Sequence, residues 1–250
     1  MKSVFIIARR ELQAYFSSAI GWLFLLGVVT LSGFVFASLI STASDPRNAL
    51  QGQPININKH IIPEFFSLIT IILLFLSPAL SMRLFSEDLK QKSFELLLSS
   101  PISSAEIVLG KFLGSLGYVA IVLLSLSHCT FVLFWLGDPD ISVLAMNYLA
   151  TFLTTACCMA VGMMFSSFTK SQLVALALSF ITLLGCWFLY GIGQLAEGTL
   201  SEVLSFVSIL SHIEQLSKGL LHTKDIIYFF SFCFLFLFAT LQRIEAYRWQ

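Results

Sequence analysis

Charged and bulky apolar side chains are interspersed between residues 84 and 111, in a segment that separates two hydrophobic runs. This mixture suits the docking of a partner protein on one face of the molecule. The side chains expected to make the contact are polar at Glu87, Asp88, Lys90, Lys92 and Glu95, and apolar at Phe94, Leu97 and Leu98. The first chemistry that the sequence suggests is therefore binding.

Local signals place these residues on a short helix. Ser86 is a candidate N-cap, and Glu87 and Asp88 in the first turn would favour the positive end of the helix dipole. Pro101 removes a backbone donor and restricts the residue before it, so the helix is expected to end near Ser99. The sequence thus predicts a surface helix over residues 87 to 99.

A second helix is predicted just after the proline. Ser103, with Glu106 three residues later, has the pattern of a capping box. This helix is expected to begin at Ser104 and to continue without a break into the apolar run after Lys111. The charged segment therefore leads directly into a hydrophobic run.

The composition is that of a membrane protein: of 250 residues, 57% are hydrophobic and 11% are charged. A membrane span needs about 20 apolar residues. We predict spans at about 18–40, 63–83, 112–136, 142–168, 171–193 and 225–243, preceded by an interfacial helix over 1–16. The fold class is all-α, a polytopic membrane protein with six transmembrane helices in one domain over 1–250. The formal net charge is zero, and nothing indicates nucleic-acid binding.

The distribution of lysine and arginine predicts the orientation. With the N-terminus inside, ten basic residues are cytoplasmic: Lys2, Arg9, Arg10, Arg83, Lys90, Lys92, Lys111, Lys170, Arg243 and Arg248. The other side holds four: Arg47, Lys59, Lys218 and Lys224. The positive-inside rule therefore places both termini and the segment 84–111 in the cytoplasm.

The stretches ELLLSSPIS at 95–103 and EIVLGK at 106–111 resemble the cytoplasmic loop of ABC-2 type permeases, the transmembrane subunits of one class of ABC transporter. That resemblance implies an elbow helix at the N-terminus and a coupling helix in the segment 84–111, which sits in a cleft of a separate ATPase subunit. The family pattern has Gly-Thr where this chain has Lys92-Ser93. The change keeps the helix, because lysine is a better helix former than glycine.

The segment 197–224 is predicted to lie on the outer side. Its apolar residues repeat at three and four positions, which indicates an amphipathic helix. In ABC-2 permeases this position holds short re-entrant gate helices, and the residues matched to that gate are Leu204, Val207, His212 and Glu214. The stretch 212–229 also resembles the gliding-motility branch of the family.

Three features inside the spans have ordinary interpretations beside functional ones. Pro78 is expected to kink the second span, either for packing or to transmit motion from the cytoplasmic loop. His128 is interpreted as a neutral histidine bonded to a neighbouring helix, with a functional role as the alternative. The cysteines are interpreted as buried thiols: Cys129, Cys157, Cys158, Cys186 and Cys233.

The sequence has no Walker A pattern and no metalloprotease motif, so the chain is not expected to be an enzyme or to bind a cofactor, and ATP would be bound by the partner. We predict the permease subunit of an ATP-driven exporter in a bacterial inner membrane. Its expected partners are an ABC ATPase, a second copy or a related permease, and the lipid bilayer. The alternatives are a non-transporting assembly or anchoring protein and a secondary carrier. A carrier usually has carboxylates at mid-membrane, and none is expected inside a span of this chain.

The coupling helix generates a first prediction. Phe94→Ala should remove an apolar anchor of the kind that costs about 2 kcal/mol or more at an interface. ATP hydrolysis should then be uncoupled from transport while the spans still fold. Glu95→Lys should weaken assembly with the ATPase, because it places the wrong charge in a partly desolvated contact. If both variants assemble and transport at wild-type rates, the assignment of the coupling helix is wrong.

Overall fold

The structure, a computed structural model, describes residues 2–44, 57–91, 102–195, 198–217, 219 and 222–248. Within these residues all regular secondary structure is helical. Five of the predicted coupling residues lie outside them: Lys92, Phe94, Glu95, Leu97 and Leu98.

The helices occur in the following order along the described residues. A π-helical turn, Ile57–Ile61, precedes α3. The α-helices are α1 Lys2–Ser17, α2 Ala19–Ala43, α3 Ile62–Ser81, α4 Arg83–Gln91, α5 Ser104–Ser125, α6 Ser127–Leu136, α7 Ile141–Phe168, α8 Gln172–Leu195, α9 Thr199–Val207, α10 Ile209–Ser217 and α11 Thr223–Arg248.

Six helical stretches in the described residues are long and apolar enough to cross a membrane, which confirms the predicted number. Two of them combine consecutive helices: Ile57–Lys90 includes α3 and α4, and Ser104–Leu136 includes α5 and α6. Successive spans run in opposite directions, so the bundle has two ends. We call the end with α1 and α4 the α1 side, and the end with α9 and α10 the α10 side.

The centre of the bundle is α7, which packs against α3, α4, α5, α8, α10 and α11. Most of α7 is buried, whereas α2, α8 and α11 are largely exposed. Two buried threonines of α7 form hydrogen bonds within their own helix. The hydroxyl of Thr154 donates to the carbonyl of Ala150, and that of Thr155 donates to the carbonyl of Thr151. Polar side chains of α7 are thus satisfied largely within their own helix, although Thr151 also contacts Thr70 of α3 and Asn147 donates to the carbonyl of Ser217 on α10.

The start of α5 agrees with the sequence, whereas the start of α4 does not. Ser103 and Glu106 form the predicted capping box, and α5 begins at Ser104. Ser86, predicted as an N-cap, lies inside α4, which already begins at Arg83. Its hydroxyl donates instead to the carbonyl of Met82, in the preceding turn.

Helices α3 and α7 approach each other closely at Gly162. A Cβ atom at this position would overlap the hydroxyl of Ser81 and lie 2.6 Å from its Cβ. Because Ser81 is buried near the end of α3, it has no open space into which to move. Glycine is therefore required at this contact.

We expect Gly162→Ala to destabilise the protein by about 1 to 3 kcal/mol through overpacking. Gly185→Ala on α8 is the matched control, because nothing lies within 4 Å of its added Cβ. The apparent melting temperature of the detergent-solubilised protein should fall for the first variant and not for the second. Equal melting temperatures would contradict the close contact.

Candidate functional site

A buried lysine organises the α1 side. Lys111 lies in the second turn of α5, and its side chain is only 2% exposed. The ammonium nitrogen lies 2.8 Å from Glu11 Oε1 on α1 and 2.8 Å from Asp88 Oδ2 on α4. It also donates to the carbonyl oxygen of Leu84 at 2.7 Å. The ammonium thus makes two hydrogen bonds, to Glu11 and Leu84, and an ion pair with Asp88.

The pair of carboxylates makes this burial tolerable. An unpaired buried ammonium group costs several kcal/mol, but here two opposite charges lie in direct contact. Glu11 and Asp88 are themselves 13% and 23% exposed, so each carboxylate keeps some contact with water. Lys111 also lies 5.3 Å from the ring centre of Phe85, which adds a cation–π contribution. We call Lys111, Glu11 and Asp88 the Lys111 triad.

Two glycines of α5 bring α1 close enough to take part. A Cβ at Gly110 would lie 2.7 Å from the Cβ of Ile7, and one at Gly114 would lie 2.7 Å from the carbonyl oxygen of Ala8. The absence of side chains at these two positions lets the helix backbones approach each other. Glu11 then follows Ala8 by one turn of α1 and reaches Lys111, which lies between the two glycines in sequence.

A tyrosine fixes the other end of α1. The hydroxyl of Tyr15 donates to the carbonyl of Leu80 at 3.2 Å, and its ring stacks on that of Tyr118 at 4.7 Å. Burial raises the pKa of the Tyr15 hydroxyl, so it stays protonated and keeps donating. Arg83 lies 4.7 Å from the Tyr15 ring centre and donates to the hydroxyl of Ser18 at 2.7 Å.

A serine of α7 caps the beginning of α4. The hydroxyl oxygen of Ser166 accepts from the backbone N–H groups of Phe85 and Ser86, both at 3.0 Å. The same hydroxyl donates to the carbonyl of Met82 at 2.7 Å. Residues in the first turn of a helix have no partner within it, and here a side chain from another helix supplies one. This contact explains why α4 does not need Ser86 as its cap.

The space between α1 and α4 is a cleft of about 460 Å³. Its charged lining residues are Arg10, Arg83, Lys111, Glu11, Glu87 and Asp88. Positive and negative charges are balanced there. The cleft is therefore suited to a polar partner surface with charges of both signs rather than to a single anion or cation.

Of the predicted coupling residues, the structure describes three, and their surroundings differ. Asp88 contacts Lys111 of its own chain, as part of the triad. Glu87 lines the cleft, and Lys90 is exposed at the end of α4. The described part of the predicted docking surface is therefore Glu87 and Lys90, with Asp88 behind them.

The predicted outer residues lie on α9 and α10. Val207 accepts a hydrogen bond at its carbonyl from the hydroxyl of Tyr228 at 2.6 Å, and the carbonyl of Leu204 accepts from the N–H of Ser208 at 3.0 Å. Glu214 is exposed and accepts from the hydroxyl of Tyr190 at 2.9 Å. These contacts attach the α9–α10 pair to α8 and α11.

His212 is buried, in contrast to Glu214. Its Nδ1 atom lies 2.6 Å from Oδ1 of Asp225, in the first turn of α11, and Asp225 is fully buried. The expectation that the spans contain no carboxylate is thus wrong at this helix end. The sequence named His212 but not its partner.

Pro78 and His128 have local contacts. Pro78 lies inside α3 and cannot donate to the carbonyl of Leu74, which instead accepts from the hydroxyl of Ser77 at 3.4 Å. His128 is exposed, and its Nδ1 atom lies 2.6 Å from the carbonyl oxygen of Ser125. The expected bond from His128 to a neighbouring helix is not made, because this ring turns back to the preceding turn.

The described residues contain no group of three or more His, Cys, Asp or Glu side chains that could hold a metal ion. Their cysteines are free thiols, and three are buried: Cys129, Cys157 and Cys158.

Six candidate spans define a multi-pass membrane protein. A family model described as ABC-2 family transporter protein matches residues 5–241, nearly the whole chain. The chain belongs to this family, as a permease subunit of an ABC transporter. A comparison with curated proteins gives no match. The resemblance to the gliding-motility branch stays a prediction.

The Ser166 cap can be tested by substitution. Ser166→Ala leaves two buried N–H groups of α4 without an acceptor, and each such group costs about 1 to 3 kcal/mol. The neighbouring Ser167 is also buried, but its hydroxyl only donates to the carbonyl of Met164 on its own helix. Ser167→Ala should therefore have little effect on thermal stability, whereas Ser166→Ala should lower it and increase proteolysis around α4. If both variants behave alike, Ser166 does not cap α4.

Proposed function

We propose that the α1 side faces the cytoplasm and binds a separate ABC ATPase, so that the chain couples ATP hydrolysis to export across a bacterial inner membrane. The positive-inside rule supports this orientation, because ten of the 14 lysine and arginine residues belong to that side. The charged cleft between α1 and α4 supports a polar partner there. ATP is bound by the ATPase and not by the permease.

The observation that carries the proposal is the Lys111 triad. Lys111 contacts α1 through Glu11 and α4 through Asp88, while its own backbone belongs to a span. Separating α5 from the other two helices would leave the buried ammonium unpaired, and separating α1 or α4 would remove one of its two counter-charges, which is costly. A displacement of α4 by the ATPase is therefore transmitted to α1 and α5 together.

The Ser166 cap extends this connection to the centre of the bundle. It links α4 to the end of α7, the helix that contacts most of the others. On the opposite side, α9 and α10 close the path as the outer gate. Motion at α4 thus has a continuous route of packed helices toward the gate, through α7, which packs on α10.

The exposed faces of α2, α8 and α11 support assembly with a second permease. They carry large apolar side chains at high exposure, including Phe34 at 72%, Phe188 at 68% and Phe234 at 69%. Such faces are covered by lipid or by another subunit. We propose a homodimer, or a heterodimer with a related permease, that carries two ATPase subunits on its cytoplasmic face.

The proposal is tested by purifying the tagged chain and identifying a co-purified ABC ATPase. Lys111→Met removes the cation from the triad and leaves two carboxylates facing each other, with an expected loss of about 3 kcal/mol. Reconstituted with the ATPase in phosphatidylethanolamine and phosphatidylglycerol vesicles, this variant should lose the change in ATPase rate that the wild-type permease produces.

Lys170→Met is the matched control, because Lys170 is an exposed lysine at the same end of the bundle. It should bind and regulate the ATPase as the wild type does. If the two variants regulate the ATPase equally, the triad does not carry coupling. If the wild-type chain recovers no ATPase at all, the proposed partner is wrong.

A further inference from the structure

A buried histidine–aspartate pair joins the outer gate to the last span. His212 lies on α10 and Asp225 on α11, and their Nδ1 and Oδ1 atoms are 2.6 Å apart. Asp225 is fully buried, and His212 is 5% exposed. The other ring nitrogen, Nε2 of His212, lies 3.0 Å from the carbonyl oxygen of Phe206, at the end of α9. One imidazole therefore connects three helices.

The hydrogen-bond partners determine how many protons the pair holds. A carbonyl oxygen only accepts, so Nε2 of His212 must carry a hydrogen. A second hydrogen must then lie between Nδ1 and the Asp225 carboxyl oxygen, because a neutral ring and a carboxylate would place two lone pairs against each other. The closed arrangement thus holds one proton more than a neutral imidazole and an ionised carboxylate do when separated.

The surroundings isolate this proton. The ring of Tyr228 stacks on that of His212 at 4.0 Å, and Phe206 and Phe229 meet it edge-on. Oδ2 of Asp225 is buried and has no hydrogen-bond partner among the described residues.

No second charged group of the described residues contacts the pair. The titratable neighbours are Tyr228 of α11 and the thiols of the adjoining apolar cluster, from α7, α8 and α11: Cys157, Cys186 and Cys233. Tyrosine and cysteine side chains are ordinarily neutral at pH 7. Glu214, on α10 itself, bonds to Tyr190 of α8, while Lys224 and Glu202 are exposed.

We propose that His212 and Asp225 are positioning residues of the outer gate, and that the proton shared between them holds α10 against α11. This inference rests on the gate function proposed for α9 and α10. When α10 leaves α11, both side chains reach water, and the proton passes to a water molecule on the outer side. No other bond is formed or broken.

The pH dependence follows from this proton balance. The closed gate binds a proton that the separated side chains release at neutral to alkaline pH. By linkage, raising the pH favours the separated state, and lowering it toward mildly acidic values favours the closed state. A gate held in this way opens more readily as the outer medium becomes more alkaline.

A cysteine introduced at Ser208 reports gate opening. Ser208 joins α9 to α10, is fully buried, and its hydroxyl has no partner among the described residues, so Ser208→Cys removes no hydrogen bond seen there. The Ser208→Cys and Glu202→Cys chains are each labelled with a membrane-impermeant maleimide, and Glu202 is exposed on α9. The labelling rate of the first chain is divided by that of the second. This ratio cancels the effect of pH on thiol reactivity, and labelling of the parent chain is subtracted.

When His212 and Asp225 are both present, the labelling ratio should rise about tenfold from mildly acidic to alkaline pH. This is the effect expected from losing one charge-assisted hydrogen bond. Asp225→Asn should keep the ratio low at alkaline pH. The asparagine amide can donate to Nδ1 while Nε2 still donates to Phe206, so the pair is satisfied without the extra proton. His212→Ala should give a high ratio at every pH.

His222→Gln is the matched control, because His222 is an exposed histidine three residues before Asp225. This variant should keep the pH response of the unchanged chain. A ratio that does not change with pH in the unchanged chain, or an Asp225→Asn chain that still responds, would refute the shared proton.

Failure of the proposed function gives a different result. The Glu202→Cys chain is labelled separately in right-side-out and inside-out vesicles. Labelling in inside-out vesicles alone would show the opposite topology and reject the proposed function. The dependence of the labelling ratio on pH would still test whether His212 and Asp225 share a proton.

Discussion

The burial of one ammonium group constrains much of this structure. Lys111 begins a span, so its charge must find acceptors within the protein, and the acceptors come from two helices outside that span. Gly110 and Gly114 bring α1 within reach, and the Ser166 cap sets the start of α4 so that Asp88 points toward the lysine. The close helix contact, the cap and the ion pairs support one another. A change in any one alters the geometry of the others.

Hydropathy predicted the number of spans because membrane length is a property of consecutive residues. The capping box at Ser103 was predicted for the same reason, since all its atoms lie within one turn. Ser86 was misassigned because the true cap of α4, Ser166, lies 80 residues away from it. The pairing of Glu11 with Lys111 and of His212 with Asp225 likewise depends on helix packing, which no local pattern contains. The charged residues Glu11, Lys111 and Asp225 were visible in the sequence beside apolar runs, but their pairing was not.

Polar contacts differ between the centre of the bundle and its ends. Along α7 the threonine hydroxyls bond to carbonyls of their own helix, and that of Thr151 also lies 3.2 Å from the hydroxyl of Thr70 on α3. At the two ends, charged and aromatic side chains join different helices, as at Lys111 and at His212. The charged contacts between helices therefore lie at the ends of the bundle, while its middle is held mainly by apolar packing. This division suits a protein whose two ends must respond to each other across a membrane.

The distance in sequence between Glu11 and Lys111 also has a consequence during synthesis. The two residues are 100 positions apart, so the ribosome must add two complete spans and the start of a third before α1 can find its partner. At translation rates of about 5 to 20 residues per second, this takes about 5 to 20 seconds. Throughout that interval Glu11 lacks its buried lysine partner, and the apolar face of the first helix is undocked. A nascent chain stalled before residue 111 would therefore present this helix to the insertion machinery or to quality-control proteases.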